Sequence, residues 1–262
     1  MSDMSMRMRT LFITSAAIGT LALAGCGASS SSSPTPTGSP SGTVTLVTHD
    51  SYAISDSVLA DFTKQTGVTV KINKTGDAAA MVNRAILTKG SPEGDALFGI
   101  DNNLLSRGLD SGLFQSYQPS AASQIPQTYQ LDPSHTVTPI DHADVCVNYD
   151  KTYFTSHNLT VPQTLDDLTK SEYKNLLVVQ NPSTSTPGLA FMLATVAKYG
   201  QDGFANYWQS LKNNGVKVEN SWSVAYDKQF SGGSGKGPYP LVVSYDTSPP
   251  ASVVYAQNPP KD

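Results

Sequence analysis

The segment TVTLVT at residues 43–48 alternates β-branched and apolar residues, which predicts a β-strand. A helical pattern follows over residues 58–67, and residues 68–72 (VTVKI) predict a second strand. Residues 78–88 predict a second helix, and residues 96–100 predict a third strand. This alternation of strands and helices predicts an α/β fold in which a parallel sheet carries helices on its faces.

The second half of the chain predicts another set of strands and helices after a polar, proline-containing stretch at residues 115–137. The predicted elements are a strand at 145–149, a short helix at 165–168, a strand at 176–179, helices at 186–199 and 204–213, and strands at 216–218 and 239–244. We therefore predict two lobes that meet near residues 139–144. Lobe 1 begins with residues 43–138, lobe 2 comprises residues 139–250, and residues 251–262 begin a return to lobe 1.

The N-terminus has the pattern of a lipoprotein signal. Arg7 and Arg9 precede an apolar run at residues 11–23 that is too short for a membrane span, and the run ends at LAGC with Cys26. We predict a signal peptide at residues 1–25, lipidation of Cys26, and a Ser/Pro-rich tether over residues 26–42. The domain would then be extracytoplasmic and held at the outer face of the cell membrane by lipid alone. The alternative is a stray cysteine beside an ordinary signal.

The charge balance excludes one large class of partners. The chain carries 17 Lys and Arg against 21 Asp and Glu, for a formal net charge of −4. Beyond the signal its arginines are Arg84 and Arg107, and the sequence contains no basic stripe. We therefore expect no nucleic-acid binding. A mildly acidic surface suits a cationic ligand.

Cysteine usage and one glycine-rich segment exclude further classes. If Cys26 carries lipid, Cys146 has no partner for a disulfide and the sequence offers no cysteine-rich metal site, so we expect no metal and no cofactor. The segment GGSGKG at residues 232–237 fails the phosphate-loop spacing, because Phe230 and Gly237 stand where that motif needs glycine and a hydroxyl residue. We predict a loop there.

Five polar and aromatic motifs stand where predicted hydrophobic runs end. They are THDSY at residues 48–52, GIDNN at 99–103, PSTSTPG at 182–188, WSVAY at 222–226 and SYDTSP at 244–249. Loops at the ends of strands are where open α/β sheets bind ligands. The motifs therefore predict one binding site assembled from loops far apart in the sequence.

These five motifs, in their order and approximate spacing over residues 44–255, resemble the thiamine-binding receptors of ABC importers. The resemblance implies a type II periplasmic-binding fold with two lobes, each with a mostly parallel sheet flanked by helices, and a ligand in the cleft between them. It also implies a monomeric receptor that captures thiamine or its phosphates for a permease and an ATPase and catalyses no reaction. Proteins of that family continue well beyond the SYDTSP position. We therefore expect this chain to lack a segment that completes lobe 1 and adds an aromatic wall.

The resemblance implies which rings contact the ligand. Trp222 and Tyr245 match family positions that stack on thiamine, although a tryptophan can equally be a core residue. His49 stands where a relative has tyrosine, so it could stack when neutral but would repel the thiazolium when protonated. Tyr226 is similarly placed, with a core role as the equal alternative.

Carboxylates and hydroxyl groups supply the remaining candidates for binding residues. Asp50 and Asp101, beside Ser51 and Asn102, are candidate partners of the cationic ring and the amino group. The alternative for each Asp is a helix cap or turn residue.

A hydroxyl-rich helix start is the candidate site for a phosphate or hydroxyl tail. The residues concerned are Ser183, Thr184, Ser185, Thr186 and Gly188. A helix N-terminus presents free N–H groups and the positive end of the helix dipole. An ordinary N-cap is the alternative.

Residues after the last predicted strand could meet the tail of the ligand from the other side. These candidates are Tyr245, Thr247 and Ser248.

Two other functions remain open from the sequence. A thiaminase-like enzyme would need Cys146 as its nucleophile, yet the strand pattern around it predicts a small buried cysteine. A receptor for ferric iron, a polyamine or a phosphorylated metabolite is the other possibility. His142 with Asp141 and Asp144 could imitate a metal cluster, but we expect hinge or surface roles for them.

Overall fold

The computed structural model describes residues 41–233 and 235–255. The predicted signal peptide, the lipidation site at Cys26 and nearly all of the predicted tether lie outside the described residues. No helix in the described ranges is long and apolar enough to cross a membrane.

The first sheet confirms the predicted alternation of strands and helices. It contains strands β1 (Gly42–Thr48), β2 (Val68–Lys74) and β3 (Ala96–Phe98), in the order β2-β1-β3 and all parallel. Helix α1 (Asp56–Thr66) connects β1 to β2, and helix α2 (Ala78–Leu87) connects β2 to β3. Because all three strands are parallel, their carboxyl ends lie at one edge of the sheet.

Each connecting helix of the first sheet has a defined end. Helix α1 ends at Gly67, whose φ of 75° is in the left-handed region that favours glycine. Helix α2 begins at Asp77, whose carboxylate accepts a hydrogen bond from the amide of Ala78 at 2.6 Å. The two helices pack differently. Met81 and Val82 of α2 are fully buried, whereas none of the residues of α1, all of them described, is buried.

The chain between the two sheets is mostly irregular. It contains helix α3 (Leu105–Asp110) and short 3₁₀ turns at Ser120–Gln124 and Gln127–Tyr129. Asp132 organises the loop that follows, because its carboxylate accepts hydrogen bonds from Ser134, Thr136 and the amide of Val137. Burial raises the pKa of Asp132, but these hydrogen bonds outweigh burial and hold the pKa below its usual value.

The second sheet is mixed and lies wholly in the later part of the chain. Its strands are β4 (Val145–Tyr149), β5 (Leu177–Gln180), β6 (Lys217–Glu219) and β7 (Leu241–Tyr245), in the order β4-β7-β5-β6. Strand β4 runs antiparallel to β7, and the other pairs are parallel. The prediction of mostly parallel sheets is therefore confirmed.

Helices and 3₁₀ turns flank the second sheet. They are helices α4 (Lys151–Ser156), α5 (Thr186–Asn213), α6 (Trp222–Val224) with a π-helical continuation at Ala225–Gln229, and α7 (Ser248–Val254), with 3₁₀ turns at Asp167–Thr169 and Ser171–Tyr173. The main core of this part packs Phe154, Phe191 and Leu211 against the buried strands. The predicted helices at 186–199 and 204–213 are confirmed as the two helical segments of α5, because Gly200 between them has a non-helical φ of 73° and ψ of 170°.

Four short helices were not predicted from the sequence: α3, α4, α6 and α7. Each has seven residues or fewer, which is too short for a 3.6-residue periodicity to be visible. The predicted lobe boundary after residue 250 falls inside α7, where Ser252 contacts Tyr226 at 3.1 Å. The division into lobes at residues 138 and 250 stays a prediction.

Candidate functional site

An open cavity of about 2050 Å³ lies at the carboxyl ends of strands from both sheets. The sequence predicts that residues from all five motifs meet in one site, and all five motifs contribute to the lining of this cavity. The predicted residues in the lining are His49, Ser51, Asp101, Asn102, Thr186, Trp222, Tyr245 and Thr247. Asp77, which was not predicted, lines the same cavity. The structure thus brings together residues as far apart in the sequence as His49 and Thr247.

Trp222 is held in position by three separate contacts. Its indole N–H donates a hydrogen bond to Ser244 Oγ at 2.8 Å, and its backbone amide donates to Asp77 Oδ2 at 2.7 Å. Its ring stacks on Tyr226 with a centroid distance of 4.8 Å and an interplanar angle of 12°. A ring fixed in this way presents a preorganised flat surface to the cavity, which lowers the entropic cost of ligand binding.

Tyr226 is placed behind Trp222, in the core. It is 3% exposed and packs with Phe230, Val178 and Val242. Its hydroxyl is 3.1 Å from Ser252 Oγ. The sequence leaves open whether Tyr226 contacts the ligand or packs in the core. In the structure it packs in the core, where its ring supports that of Trp222.

Asp77 is a buried carboxylate at the cavity wall. It is 7% exposed, and it accepts hydrogen bonds from the amides of Ala78 and Trp222. Burial raises its pKa, and the amide of Trp222 and the nearby Ser185 hydroxyl oppose that shift. An ionised carboxylate held in so little water gains strongly from a cationic ligand, since such a ligand would offset the desolvation of the charge.

The sequence did carry a signal for Asp77. It follows Thr75-Gly76 directly after β2 and precedes the apolar pattern of α2, which is the position of an N-cap at the carboxyl end of a strand. Asp77 lies outside the five motifs that carry the resemblance, and it is not among the ligand-binding residues predicted from the sequence. Ser223 was also missed, since it sits inside the WSVAY motif without an aromatic or charged side chain.

Three hydrogen bonds join the first sheet's loops and helices to those of the second sheet. Ser223 Oγ donates to Asp50 Oδ1 at 2.9 Å, and the amide of Ala80 donates to the carbonyl of Thr184 at 3.1 Å. The third is the bond from the Trp222 amide to Asp77. Asp50 therefore helps to hold the segment that contains Trp222 and Ser223, and it is not among the residues that line the cavity.

His49 lines the cavity beside two aromatic rings. Its Nδ1 is 2.9 Å from Ser51 Oγ, and its ring centroid is 6.2 Å from that of Tyr52 and 6.0 Å from that of Phe98. A Cβ at position 99 would come within 2.8 Å of His49 Cδ2, so Gly99 is required for this packing. Burial lowers the pKa of His49, although Asp77 and Asp50 act in the opposite direction.

Asp101 closes the carboxyl end of β3. Its two oxygens accept hydrogen bonds from the side chain of Asn103 at 2.8 Å and from the amide of Leu104 at 3.1 Å. Burial raises its pKa, and these hydrogen bonds oppose the shift. Asp101 is both a turn residue, as the alternative interpretation required, and a carboxylate in the cavity lining.

The hydroxyl residues at the start of α5 divide between structure and cavity. Ser183 Oγ donates to Asn181 Oδ1 at 2.8 Å, and Thr184 Oγ1 donates to the carbonyl of Asn220 at 2.8 Å. Both therefore stabilise the loop. Gly188 lets α5 approach β5, since a Cβ there would lie 2.3 Å from the carbonyl oxygen of Gln180.

Thr186 and Tyr245 are the members of this region that reach the cavity. Thr186 Oγ1 is 3.4 Å from the hydroxyl of Tyr245, and burial raises the pKa of Tyr245 to about 12. The fully buried Ser185 Oγ, by contrast, lies near the carboxylate of Asp77 but makes no hydrogen bond of good geometry with any of the described residues. Ser248 is also structural, because its hydroxyl is 2.8 Å from Ser244 Oγ and accepts from the amide of Tyr245.

The geometry at Cys146 disagrees with one prediction. The sequence predicted a buried cysteine, but Cys146 is exposed, because β4 is an edge strand of the second sheet. Partial desolvation, with Asp246 and Asp144 nearby, raises the pKa of its thiol. A raised pKa disfavours the thiolate that a nucleophile requires.

Within residues 41–233 and 235–255, no group of three or more acidic, histidine or cysteine side chains is arranged to hold a metal ion. His142 instead stacks on Tyr129 with a centroid distance of 4.7 Å.

The cavity therefore combines flat aromatic rings, the buried carboxylate of Asp77, the half-buried carboxylate of Asp101 and a few hydroxyl groups, beside strand ends from both sheets. Such a set of side chains is complementary to a small flat ligand that carries positive charge. A family profile described as bacterial extracellular solute-binding protein matches residues 95–253. That match covers more than half of the chain, and the chain belongs to this family.

Two curated relatives of this chain are thiamine-binding periplasmic proteins. The thiamine-binding periplasmic protein of Escherichia coli K12 is 32% identical over 211 residues, which are 79% of this chain and 61% of that protein. The thiamine-binding periplasmic protein of Brucella suis biovar 1 is 32% identical over 216 residues, 79% of this chain and 60% of the relative. The chain thus spans about three fifths of the length of the curated relatives it matches.

A solved structure shares the fold of this chain. A periplasmic thiamin binding protein is 28% identical to this chain and superposes with a TM-score of 0.67, covering 82% of this chain and 65% of that chain. The predicted type II periplasmic-binding fold is confirmed by this likeness.

Proposed function

We propose that this chain captures thiamine or a thiamine phosphate outside the cytoplasm and delivers it to an ABC permease powered by an ATPase. The observation that carries the proposal is the convergence of Trp222, Tyr245 and His49 with Asp77 and Asp101 in one cavity. Thiamine has a permanently cationic thiazolium ring and a flat aminopyrimidine, and this set of side chains matches both.

Aromatic stacking would supply much of the affinity for the cationic ring. A cation over an aromatic face contributes about 0.5–2 kcal/mol when desolvated. Trp222 is the preferred partner, because its three contacts hold the ring still before the ligand arrives. Asp77 would lie on the same side, since its carboxylate is bonded to the backbone of that residue.

The other end of the ligand would meet hydroxyl groups. Thr186 opens α5, and Tyr245 and Thr247 face the same cavity. A helix N-terminus favours a phosphate or hydroxyl tail through its free N–H groups and dipole. We propose that this region receives the hydroxyethyl or phosphate tail.

The rest of the assembly follows from the proposed role. The receptor would be a monomer anchored through lipid on Cys26, and closure of the two lobes over the ligand would create the surface that the permease recognises. It would catalyse no reaction. The raised pKa of Cys146 and the position of that residue on an edge strand support binding over thiaminase-like chemistry.

Isothermal titration of the purified chain tests the proposal directly. Thiamine, thiamine monophosphate and thiamine diphosphate are the test ligands, with ferric citrate and spermidine as comparators. We expect saturable binding of at least one thiamine form and an affinity at least about tenfold weaker in Trp222→Ala. A sample that is folded by circular dichroism and gives no heat with any thiamine form would refute the proposal, as would tighter binding of a comparator.

Fluorescence gives an independent readout, because the chain contains 2 tryptophans. Trp208 donates its indole N–H to Thr195 in the core, at 2.9 Å, away from the cavity lining. The variant Trp208→Phe therefore leaves Trp222 as the single emitter and serves as a matched control. Thiamine should quench its emission at the same concentrations that produce heat.

A further inference from the structure

We propose that His49 makes the capture of a cationic ligand sensitive to pH, so that the receptor binds at neutral pH and weakens its hold in mild acid. This inference rests on the proposed function and adds a property to the same site: ligand release coupled to protonation of one side chain. Histidine is the side chain whose unperturbed charge change falls between pH 5 and 8.

The geometry places His49 where its charge matters. The ring lines the cavity together with Asp77, Trp222 and Tyr245. Its Nδ1 is engaged at 2.9 Å by Ser51 Oγ, and the close approach of Gly99 limits its movement. A ring fixed in this way cannot swing out to water when it takes up a proton.

Charged groups face His49 from every element packed around it. Asp50 stands in its own loop, Lys74 ends β2, Asp77 caps α2, and Asp141 lies in the segment before β4. The three carboxylates favour the protonated ring, whereas Lys74 and burial oppose it. Burial is the largest effect and lowers the pKa of His49 from its ordinary value, which favours the neutral ring at pH 7.5.

Ligand charge then sets the direction of the coupling. A neutral imidazole can pack its flat face against a cationic ring, but an imidazolium would place two positive charges in one poorly hydrated cavity. The carboxylate of Asp77 carries one negative charge, which cannot neutralise both positive charges. Binding of a cation must therefore lower the pKa of His49 further and release protons in the pH range where the free receptor is protonated.

Titration calorimetry with thiamine at pH 7.5 and pH 5 tests this coupling. For wild type we expect the dissociation constant to rise about three- to tenfold more between these pH values than it does for His49→Phe. The aminopyrimidine of thiamine also takes up a proton in acid, but that change is common to both proteins and cancels in the comparison. Titrations near pH 6 in buffers of different ionisation enthalpy should show net proton release for wild type and less for the variant.

Further variants separate His49 from its neighbours. His49→Asn is a second non-titrating variant in case the phenylalanine disturbs folding. His157→Gln is the matched control, because His157 stacks on Tyr153 at the exposed end of α4. It should keep the wild-type pH dependence.

Three outcomes have distinct meanings. An equal pH response in wild type and both His49 variants would overturn the inference while leaving the receptor function intact. Loss of the pH response in His142→Gln would overturn it as well, since His142 also lines the cavity. No thiamine binding at pH 7.5 by folded wild type would reject the proposed function itself.

Discussion

Asp77 Oδ2 accepts a hydrogen bond from the backbone amide of Trp222 at 2.7 Å, across 145 positions of sequence. The bond ties the first turn of α2 to the segment that opens α6. It couples Asp77, a buried carboxylate that the sequence motifs do not include, to the ring that we expect to stack on the ligand. Because of this hydrogen bond, the charge state of Asp77 and the position of the Trp222 ring depend on each other.

The first prediction concerns that carboxylate. Asp77→Asn keeps an oxygen for the N-cap but removes the charge, so we expect thiamine affinity to fall by about tenfold. The free energy of unfolding should change by less than about 1 kcal/mol, because removal of a desolvated charge offsets the loss of the hydrogen bond from the Trp222 amide. Calorimetry and chemical denaturation measure the two effects. Asp61→Asn on the exposed face of α1 is the control, and equal affinities in the two variants would contradict the prediction.

The sheets and the order of their elements could be predicted from the sequence, because strands and long helices leave a periodic pattern. Residues 43–48 and 78–88 are examples, each lying within about a residue of the observed β1 and α2. The short helix predicted at 165–168 is a 3₁₀ turn at Asp167–Thr169, and the four short helices α3, α4, α6 and α7 could not be predicted. Short helices depend on tertiary contacts, such as the one between the hydroxyls of Ser252 and Tyr226 at α7.

The sequence predicted which loops form the candidate site, but only part of the set of side chains that line it. Strand-end motifs identify which loops meet, since parallel strands direct their carboxyl ends to one edge. They do not say which side chain of a loop faces the cavity. Tyr226 and Ser248 were selected with Trp222 and Thr247, yet the first two pack inward and the last two line the cavity. That choice depends on the turn after each strand, which a single sequence does not specify.

A second prediction separates Trp222 from the tyrosine behind it. Tyr226→Phe removes only the hydroxyl that contacts Ser252, so we expect a loss of about 0.5–1.5 kcal/mol in the free energy of unfolding. Thiamine affinity should stay within about twofold, because the supporting ring remains. Trp222→Phe should weaken binding more, since it shrinks the ring and removes the bond to Ser244. Calorimetry decides the question, and an equal loss of affinity in both variants would place Tyr226 in direct contact with the ligand.

A third prediction concerns the close packing of α5 against β5. In Gly188→Ala the new methyl group would lie 2.3 Å from the carbonyl oxygen of Gln180, so the helix must move away from the sheet. We expect a loss of about 1–3 kcal/mol in the free energy of unfolding. Gly90→Ala is the matched control, because nothing lies within 4 Å of a Cβ there. Thermal denaturation should leave the control near wild type, and a similar melting temperature for Gly188→Ala would show that the approach is looser.

The last prediction uses the pH dependence of stability at Asp101. Burial raises its folded pKa above the reference value of 3.8. Between about pH 4 and the folded pKa, the native state therefore binds more protons than the unfolded state. The contribution of Asp101 to the free energy of unfolding is thus largest in acid and falls as the pH rises through the folded pKa.

Asp101→Asn removes this titration while leaving an oxygen for the amide of Leu104, and the amide of Asn103 can rotate to face the new side chain. We expect the stability of the variant relative to wild type to increase as the pH rises from about 3.5 to 6. Denaturation across that range measures the difference, and the titrations of Asp77 and His49 cancel because both proteins share them. Asp110→Asn, on the exposed side of α3, should show no such trend. If the two Asn variants give the same flat profile, the Asp101 carboxylate is better solvated than its burial indicates.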